Sequence, residues 1–240
     1  MSVQIALWSV AALLATAILG VARARAAEGR LLVYGACLAV CGAAFLSALV
    51  HLFGSGGGAA TLTLPLGIPW IGARFRIDAL ATFFLVVVNL GGATASLYGI
   101  GYGRHEEAPQ RVLPFFAAFL AGMNLVVLAA DAFTFLLSWE FMSLASWAMV
   151  LVHHRDVASR HAATVYLMMA SFGTMALLLA FGLLSGAGGD YSFDAIRETQ
   201  RTPLVASLAL LLALLGAGSK AGLAPLHVWL PLAHPAAPSH

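Results

Sequence analysis

Long apolar runs recur from one end of the chain to the other, and they leave few folds open. Each is close to the ~20 residues that an α-helix needs to cross a ~30 Å hydrocarbon core. Charge and Gly or Pro punctuation mark off seven of them, at about residues 3 to 22, 31 to 52, 78 to 102, 112 to 130, 133 to 152, 162 to 185 and 203 to 231. Of 240 residues 61% are hydrophobic and 9% charged, against roughly 25% charged in soluble domains. So few charges could not cover the surface of a soluble fold this size. The sequence therefore predicts an all-α, polytopic membrane bundle of about seven spanning helices, the seventh broken near Pro225.

The stretches between the runs carry the orientation and little else. A secretory signal places positive charge before its apolar run. Here Met1 to Gly20 has no charged side chain and Arg23, Arg25 and Arg30 follow, so the first run reads as a retained spanning helix. With the N-terminus outside, the inner loops hold Arg23, Arg25, Arg30, Arg104, Arg111, Arg155 and Arg160, and the outer ones hold Arg74, Arg76, Arg197 and Arg201. Cytoplasmic loops retain arginine, which favours that orientation. Gly54 to Gly58 and Thr61 to Trp70 are too broken by Gly and Pro to span, and suit a short hairpin-like cover outside the membrane. Asp190 to Arg201 suits a short interfacial connector with Phe193 and Ile196 turned to the membrane. The arginines form no block that would suit nucleic acid. Cys37 and Cys41, one turn apart in an apolar run, read as small core residues rather than a disulfide or metal site.

A few ionisable residues remain inside the spans, and these carry the functional reading. Lys220 is the only lysine, and Glu140 lies within the fifth run. A charge at the bilayer centre costs at least ~2.5 kcal/mol, so such a residue has a partner or a hydrated cavity. The two are expected to face each other or share one. A static salt bridge is the plain alternative, yet buried pairs often add no stability over apolar packing. Gly216, Gly218, Ser219 and Gly222 thin the helix around Lys220, and Pro225 frees a carbonyl one turn back. A broken helix beside a charge is how transporters build midplane sites. The chemistry open to the pair is proton transfer: desolvation favours the neutral lysine and a nearby carboxylate favours the charged one.

Histidines extend the list. His227 lies two turns beyond Lys220, on the same face if the helix continues past Pro225, and reads either as the next relay or as a ligand of freed backbone carbonyls. His153, His154 and His161 bracket Arg155 and Asp156, chiefly an interface, with proton uptake as the second reading. His234 and His240 flank Pro235 and Pro238 in a loop or the start of another helix. Asp78 beside Arg76, and Asp131, read as caps or anchors.

Two motifs connect these residues to a known family. Trp139-Glu140-Phe141-Met142-Ser143-Leu144 resembles the fifth-helix motif of antiporter-like proton-translocating membrane subunits, and Gly218-Ser219-Lys220-Ala221-Gly222-Leu223-Ala224-Pro225-Leu226-His227-Val228-Trp229-Leu230-Pro231 resembles their seventh-helix motif. Such subunits occur in respiratory complex I, in Mrp cation/proton antiporters and in membrane-bound hydrogenases. The ending Ala233-His234-Pro235-Ala236-Ala237-Pro238-Ser239-His240 resembles the hydrogenase-4 and formate hydrogenlyase type, and Arg76-Ile77-Asp78-Ala79-Leu80 resembles the start of the family's third helix. The resemblance implies that Glu140 and Lys220 are the coupling pair of a proton half-channel. It also implies that residues 112–240 are the first part of a proton-translocating domain, with residues 1–111 as the supporting N-terminal helices. Because the family runs through about twice as many helices, the chain looks like an N-terminal fragment.

The expected function is that of a proton-moving membrane subunit, with sodium as the second candidate ion, in the cytoplasmic membrane. Its partners would be other membrane and redox subunits of a hydrogenase or complex I-like assembly. With no GxGxxG, P-loop, Cys cluster or haem-ligand spacing, the chain is expected to hold no cofactor and no metal of its own. A quinone-binding redox subunit using His227 or Trp229, or a structural anchor, are the alternatives.

Overall fold

The computed structural model describes residues 1–23, 25–26, 28–54, 59–67, 72–105, 108–186 and 189–238, with the side chain of His105 excepted. Its seven long helices are each apolar enough to cross a membrane. They are α1 (Val3–Arg23), α2 (Gly29–Gly54), α3 (Ala79–Tyr102), α4 (Pro109–Leu128), α5 (Ala132–Val150), α6 (Val157–Ser185) and α8 (Pro203–Ala221). A hairpin, β1 (Ala60–Leu64) and β2 (Ala73–Ile77), sits between α2 and α3 as the broken sequence there predicts. Two short helices complete the chain, α7 (Phe193–Glu198) and α9 (Leu230–Ala236).

Short polar residues start these helices by taking up the backbone N–H groups that a first turn leaves unpaired. Asp78 accepts from Ala81 N at the head of α3, Asp131 from Thr134 N at α5, Asp156 from Ser159 N at α6 and Thr202 from Val205 N at α8. Asp78 and Asp131 are thus caps, as their positions suggested. Asp131 is fully buried and also accepts from Thr134 Oγ1 at 2.6 Å and Arg74 N at 3.0 Å. It fixes the hairpin to α5. Around it Ala130 N donates to Arg74 O, Ala132 N to Tyr191 O and Phe193 N to Ala130 O, so the α4–α5 link is stitched between β2 and the start of α7.

Phe193 departs from expectation. Its ring meets Phe135 of α5 at 6.1 Å and Phe181 of α6 at 5.7 Å, so it is turned onto the helix ends rather than outward to lipid. Three aromatic rings in one place bury more apolar surface than one ring on the membrane would, and edge contacts add to that.

The bundle has two apolar centres. Leu13, Val33, Tyr34, Cys37, Cys41, Leu113 and Leu120 are buried among α1, α2 and α4, with Leu85 of α3 and Phe75 of β2 joining them. Both cysteines are unpaired thiols here, as read. A second centre joins Val150, Ala162, Ala163, Tyr166 and Ala170 to Ala233 of α9, with Trp147 and Trp229 against it. The outer faces are apolar too: Trp8, Ile18, Phe53, Leu97, Met168 and Leu210 are all exposed, which suits a surface covered by lipid or other apolar partners.

The seventh span, expected over residues 203 to 231 with a break near Pro225, is broken there. Its helix stops at Ala221, and α9 resumes only at Leu230. Gly222 ends it, in the left-handed conformation at φ 72°, where a Cβ would be strained. Leu223 N and Gly222 N both donate to Gly218 O, which closes the last turn. Pro225 sits inside the break, and a helix continued through it would set its ring against the carbonyl of Ala221, the last residue of α8.

Candidate functional site

Helices α6 and α8 approach closely because each has a glycine where they cross, Gly173 against Gly216. A Cβ on Gly173 would fall 2.3 Å from Ser219 Oγ and 2.9 Å from Gly216 O, and one on Gly216 would fall 2.6 Å from Leu177 Cγ. Small residues at a crossing are the usual means of holding membrane helices together. This contact, four residues before Lys220, places the lysine side chain between α6 and α5.

There Lys220 Nζ donates to Tyr166 OH at 2.6 Å and to Ser143 Oγ at 3.0 Å. The ammonium also lies 4.9 Å from the centroid of the Tyr166 ring, within cation–π range. Tyr166 and Ser143 are buried, at 3% and 0% exposure, and Lys220 is half-buried. Two hydroxyls thus stand in for bulk water around the only ammonium side chain. A lysine has three N–H donors and two are used.

Glu140 lies midway along α5, half-buried, and its Oε2 accepts from Thr174 Oγ1 of α6 at 2.7 Å. Glu140 and Ser143 are three residues apart and so share a helix face. Glu140 and Lys220 were expected to face each other or to share a cavity, and among the described residues no direct ion pair joins them. The helix end explains it. Lys220 is in the last turn of α8 and reaches Ser143, one turn along α5 from the carboxylate. That offset is about 4.5 Å along the axis of α5.

The break is tied to the same place. Trp229 Nε1 donates to Ser219 O at 2.7 Å, and its ring meets Tyr166 edge-on at 5.1 Å. The carbonyl freed at the helix end is therefore satisfied by Trp229 and not by His227. His227 is exposed in the turn between α8 and α9, its imidazole makes no hydrogen bond among the described residues, and the continuous helix that would align it with Lys220 does not exist. Gly218 is buried and Gly222 and Pro225 lie in the break.

The other histidines lie away from this cluster. His153 and His154 are in the α5–α6 link, where Arg111 of α4 contacts both ring nitrogens of His154. His161 is exposed at the start of α6, beside Pro231 and Pro235, and His234 is exposed on α9. His240 lies outside the described residues. Asp156 in the link has its carboxyl held below the usual range by hydrogen bonds from Ser159 N and Oγ. Among the described residues no cluster of His, Cys, Asp and Glu has the makings of a metal site.

Tyr166 and Thr174 were not singled out by the sequence. Both are hydroxyls in an apolar helix eight residues apart, which is the one trace they leave.

Residues 129–240 match the family described as NADH:quinone oxidoreductase/Mrp antiporter, transmembrane. Hydrogenase-4 component B of Escherichia coli is 38% identical over 167 residues, a match that takes in 69% of this chain and 25% of that protein. The chain thus spans about a quarter of that relative's length. A chain of the membrane-bound sulfane sulfur reductase, an archaeal respiratory membrane complex, has a TM-score of 0.81 at 20% identity, covering 98% of this chain and 48% of that one. One from the Mrp complex of Dietzia has a TM-score of 0.79 at 23% identity, covering 97% and 25%. At those identities the likeness is one of fold. Seven apolar helices in this family make the protein a multi-pass membrane protein.

Proposed function

Over residues 129–240 this chain belongs to the NADH:quinone oxidoreductase/Mrp antiporter transmembrane family, and we propose that it is an antiporter-like membrane subunit that moves protons through Glu140, Lys220 and the hydroxyls between them. The observation that carries the reading is the setting of Lys220: an ammonium within the bundle held by Tyr166 and Ser143, one turn from a carboxylate held by Thr174. A permanent structural pair would be closed. An open one leaves Lys220 free to choose between the hydroxyls and the carboxylate.

Protonated Lys220 swings from Ser143 toward Glu140 when the carboxylate is ionised, and the attraction favours the charged lysine. Protonation of Glu140 removes that attraction. Lys220 then returns to Tyr166 and Ser143, where neutral hydroxyls support the ammonium less, and it can release its proton. Each hydroxyl both donates and accepts, so Ser143 and Tyr166 can pass a proton on as well as hold one. Residues 1–111 brace this path and residues 112–240 carry it. The N-terminus lies outside and the membrane is the cytoplasmic one, in keeping with the arginine count of the loops. The partners are the membrane and redox subunits of a hydrogenase or complex I-like assembly, from which the driving force comes.

Proton uptake into vesicles carrying the full-length subunit with its partners tests this. Glu140→Gln and Lys220→Met each lower coupled proton movement by more than about tenfold, the loss of roughly 1.4 kcal/mol or more from the transfer step. Pumping at the parent rate in both variants would leave the pair a packing feature of an anchor.

A further inference from the structure

Helices α4, α5 and α6 meet at the end of the bundle opposite the hairpin, and they leave a pocket of about 460 Å³ there. Gln110 and Arg111 of the first turn of α4 form one wall, and His153, His154, Arg155 and Asp156 of the α5–α6 link form the other. Unlike the apolar groove beneath the hairpin, this one is lined mainly by polar groups. Its one described carboxylate, Asp156, is already engaged in capping α6 through Ser159 N and Oγ. Two arginines against one committed carboxylate leave the described lining net positive. Glu106 and Glu107 lie outside the described residues.

Three features make the pocket suited to an anion. Arg111 directs its guanidinium at both ring nitrogens of His154 instead of at an acid, so no carboxylate among the described residues pairs with it. Arg155 and His153 are exposed at the rim, and their side chains have no hydrogen-bond or ion-pair partner among the described residues, although Arg160 Nη1 donates to the Arg155 carbonyl. The positive end of the α4 dipole faces the same space, because α4 starts at Pro109 without a side-chain cap. The pocket also sits where three spanning helices leave the hydrocarbon, which is the depth of lipid phosphates. Basic pockets between helix ends at that depth are the usual seats of anionic headgroups.

We propose that Arg111, His153, His154 and Arg155 bind the phosphate of an anionic phospholipid of the phosphatidylglycerol type. The proposal requires neither the proton path nor the orientation to be as inferred above. The guanidiniums of Arg111 and Arg155 supply charge and paired donors, which suit a phosphate better than a point charge does. Gln110 is placed at the wall to meet a headgroup hydroxyl. The concavity favours a single headgroup over an acidic peptide from a partner, which would need a broader contact surface.

The test uses the protein purified in detergent and mixed micelles of phosphatidylglycerol or phosphatidylcholine, with bound lipid counted by native mass spectrometry. Phosphatidylglycerol is retained in preference to phosphatidylcholine. Arg155→Gln lowers that preference about fivefold and Arg111→Gln by at least as much. Arg155 is exposed, so its variant keeps the test valid if Arg111→Gln fails to fold. Arg25→Gln removes one exposed charge from the same end of the bundle and leaves the preference unchanged. Equal retention of the two lipids overturns the proposal, as it would if the pocket serves an acidic partner segment instead. An equal loss in Arg25→Gln overturns it in favour of general surface charge. Displacement of the lipid by inorganic phosphate at matched phosphate concentration overturns it in favour of a free anion.

Discussion

Among the polar side chains within the bundle, two groups are built on opposite plans. Between α3 and α4, Asn89 Nδ2 donates to Asn124 Oδ1 at 2.8 Å and to Leu85 O at 2.9 Å, while Asn124 Nδ2 donates to Leu120 O. Both amides are neutral and buried, at 0% and 3% exposure. Among α5, α6 and α8, by contrast, a carboxylate and an ammonium are each half-buried and each held by hydroxyls on a neighbouring helix. The asparagine pair has one arrangement, since its amides are locked to their own helices. Lys220 is held by hydroxyls at the end of its helix, and the proposed function gives it a second arrangement, toward Glu140. The first is glue between helices. The second is a site that can change state without unpacking its helices.

The largest effect that separates the two comes from filling the α6–α8 crossing. Gly173→Leu drives a side chain into Ser219 Oγ and the Gly216 carbonyl, and the carbonyl cannot move aside. Overpacking of this kind costs about 1–3 kcal/mol, and it also shifts Lys220 off Tyr166 and Ser143. Thermal unfolding in detergent should fall and coupled proton movement should be lost together. Gly182→Leu on the same helix meets nothing within 4 Å and leaves both unchanged. If Gly173→Leu keeps full pumping, the position of Lys220 does not depend on this crossing.

Tyr166→Phe comes next and is cleaner, because it keeps the ring against Trp229 while removing one acceptor from Lys220. A hydrogen bond to a charged group is worth about 1.5–3 kcal/mol. The expected result is a fall in proton movement of about tenfold and a shifted pH profile, with the unfolding temperature lower by only a few degrees. A parent-like pH profile would assign the hydroxyl to packing alone.

The sequence made one of the two plans easier to see than the other. Seven spans were legible because the bilayer demands a run of ~20 apolar residues whatever the fold, and the charges at Glu140 and Lys220 stood out against those runs. What held the charges was not legible. Nothing in the spacing of α6 marks Tyr166 or Thr174 over its other hydroxyl residues, since their orientation depends on how α6 packs on α5 and α8. The break of the seventh span near Pro225 was legible, but the residue that turns the chain first was not. Pro225 is the louder breaker, but Gly222 takes the left-handed turn first, and with it goes the alignment of His227. Trp229 gave no polar signal in the sequence, yet its indole N–H caps the freed carbonyl. The asparagine pair passed unremarked because two uncharged amides barely alter the hydropathy of their spans.

The smallest effect is expected at that pair, and it has a definite pattern. Asn89 Oδ1 is buried without a partner, so the parent protein already carries one unsatisfied oxygen there. Asn89→Leu removes it but strips Asn124 Oδ1 of its donor, an even exchange. Asn124→Leu leaves Asn89 Oδ1 as it was and orphans an N–H as well, and each such group costs about 1–3 kcal/mol. Replacing both removes every unsatisfied group at the site. Stability should therefore fall most in Asn124→Leu, little in Asn89→Leu and little in the double variant, so the double-mutant cycle returns a coupling about as large as the Asn124→Leu loss itself, about 1–3 kcal/mol. Proton movement should stay at the parent rate in all three, since the pair has no second arrangement to adopt. Slower pumping in the double variant, at unchanged stability, would mean that this pair also takes part in transport and that the two plans are not separate.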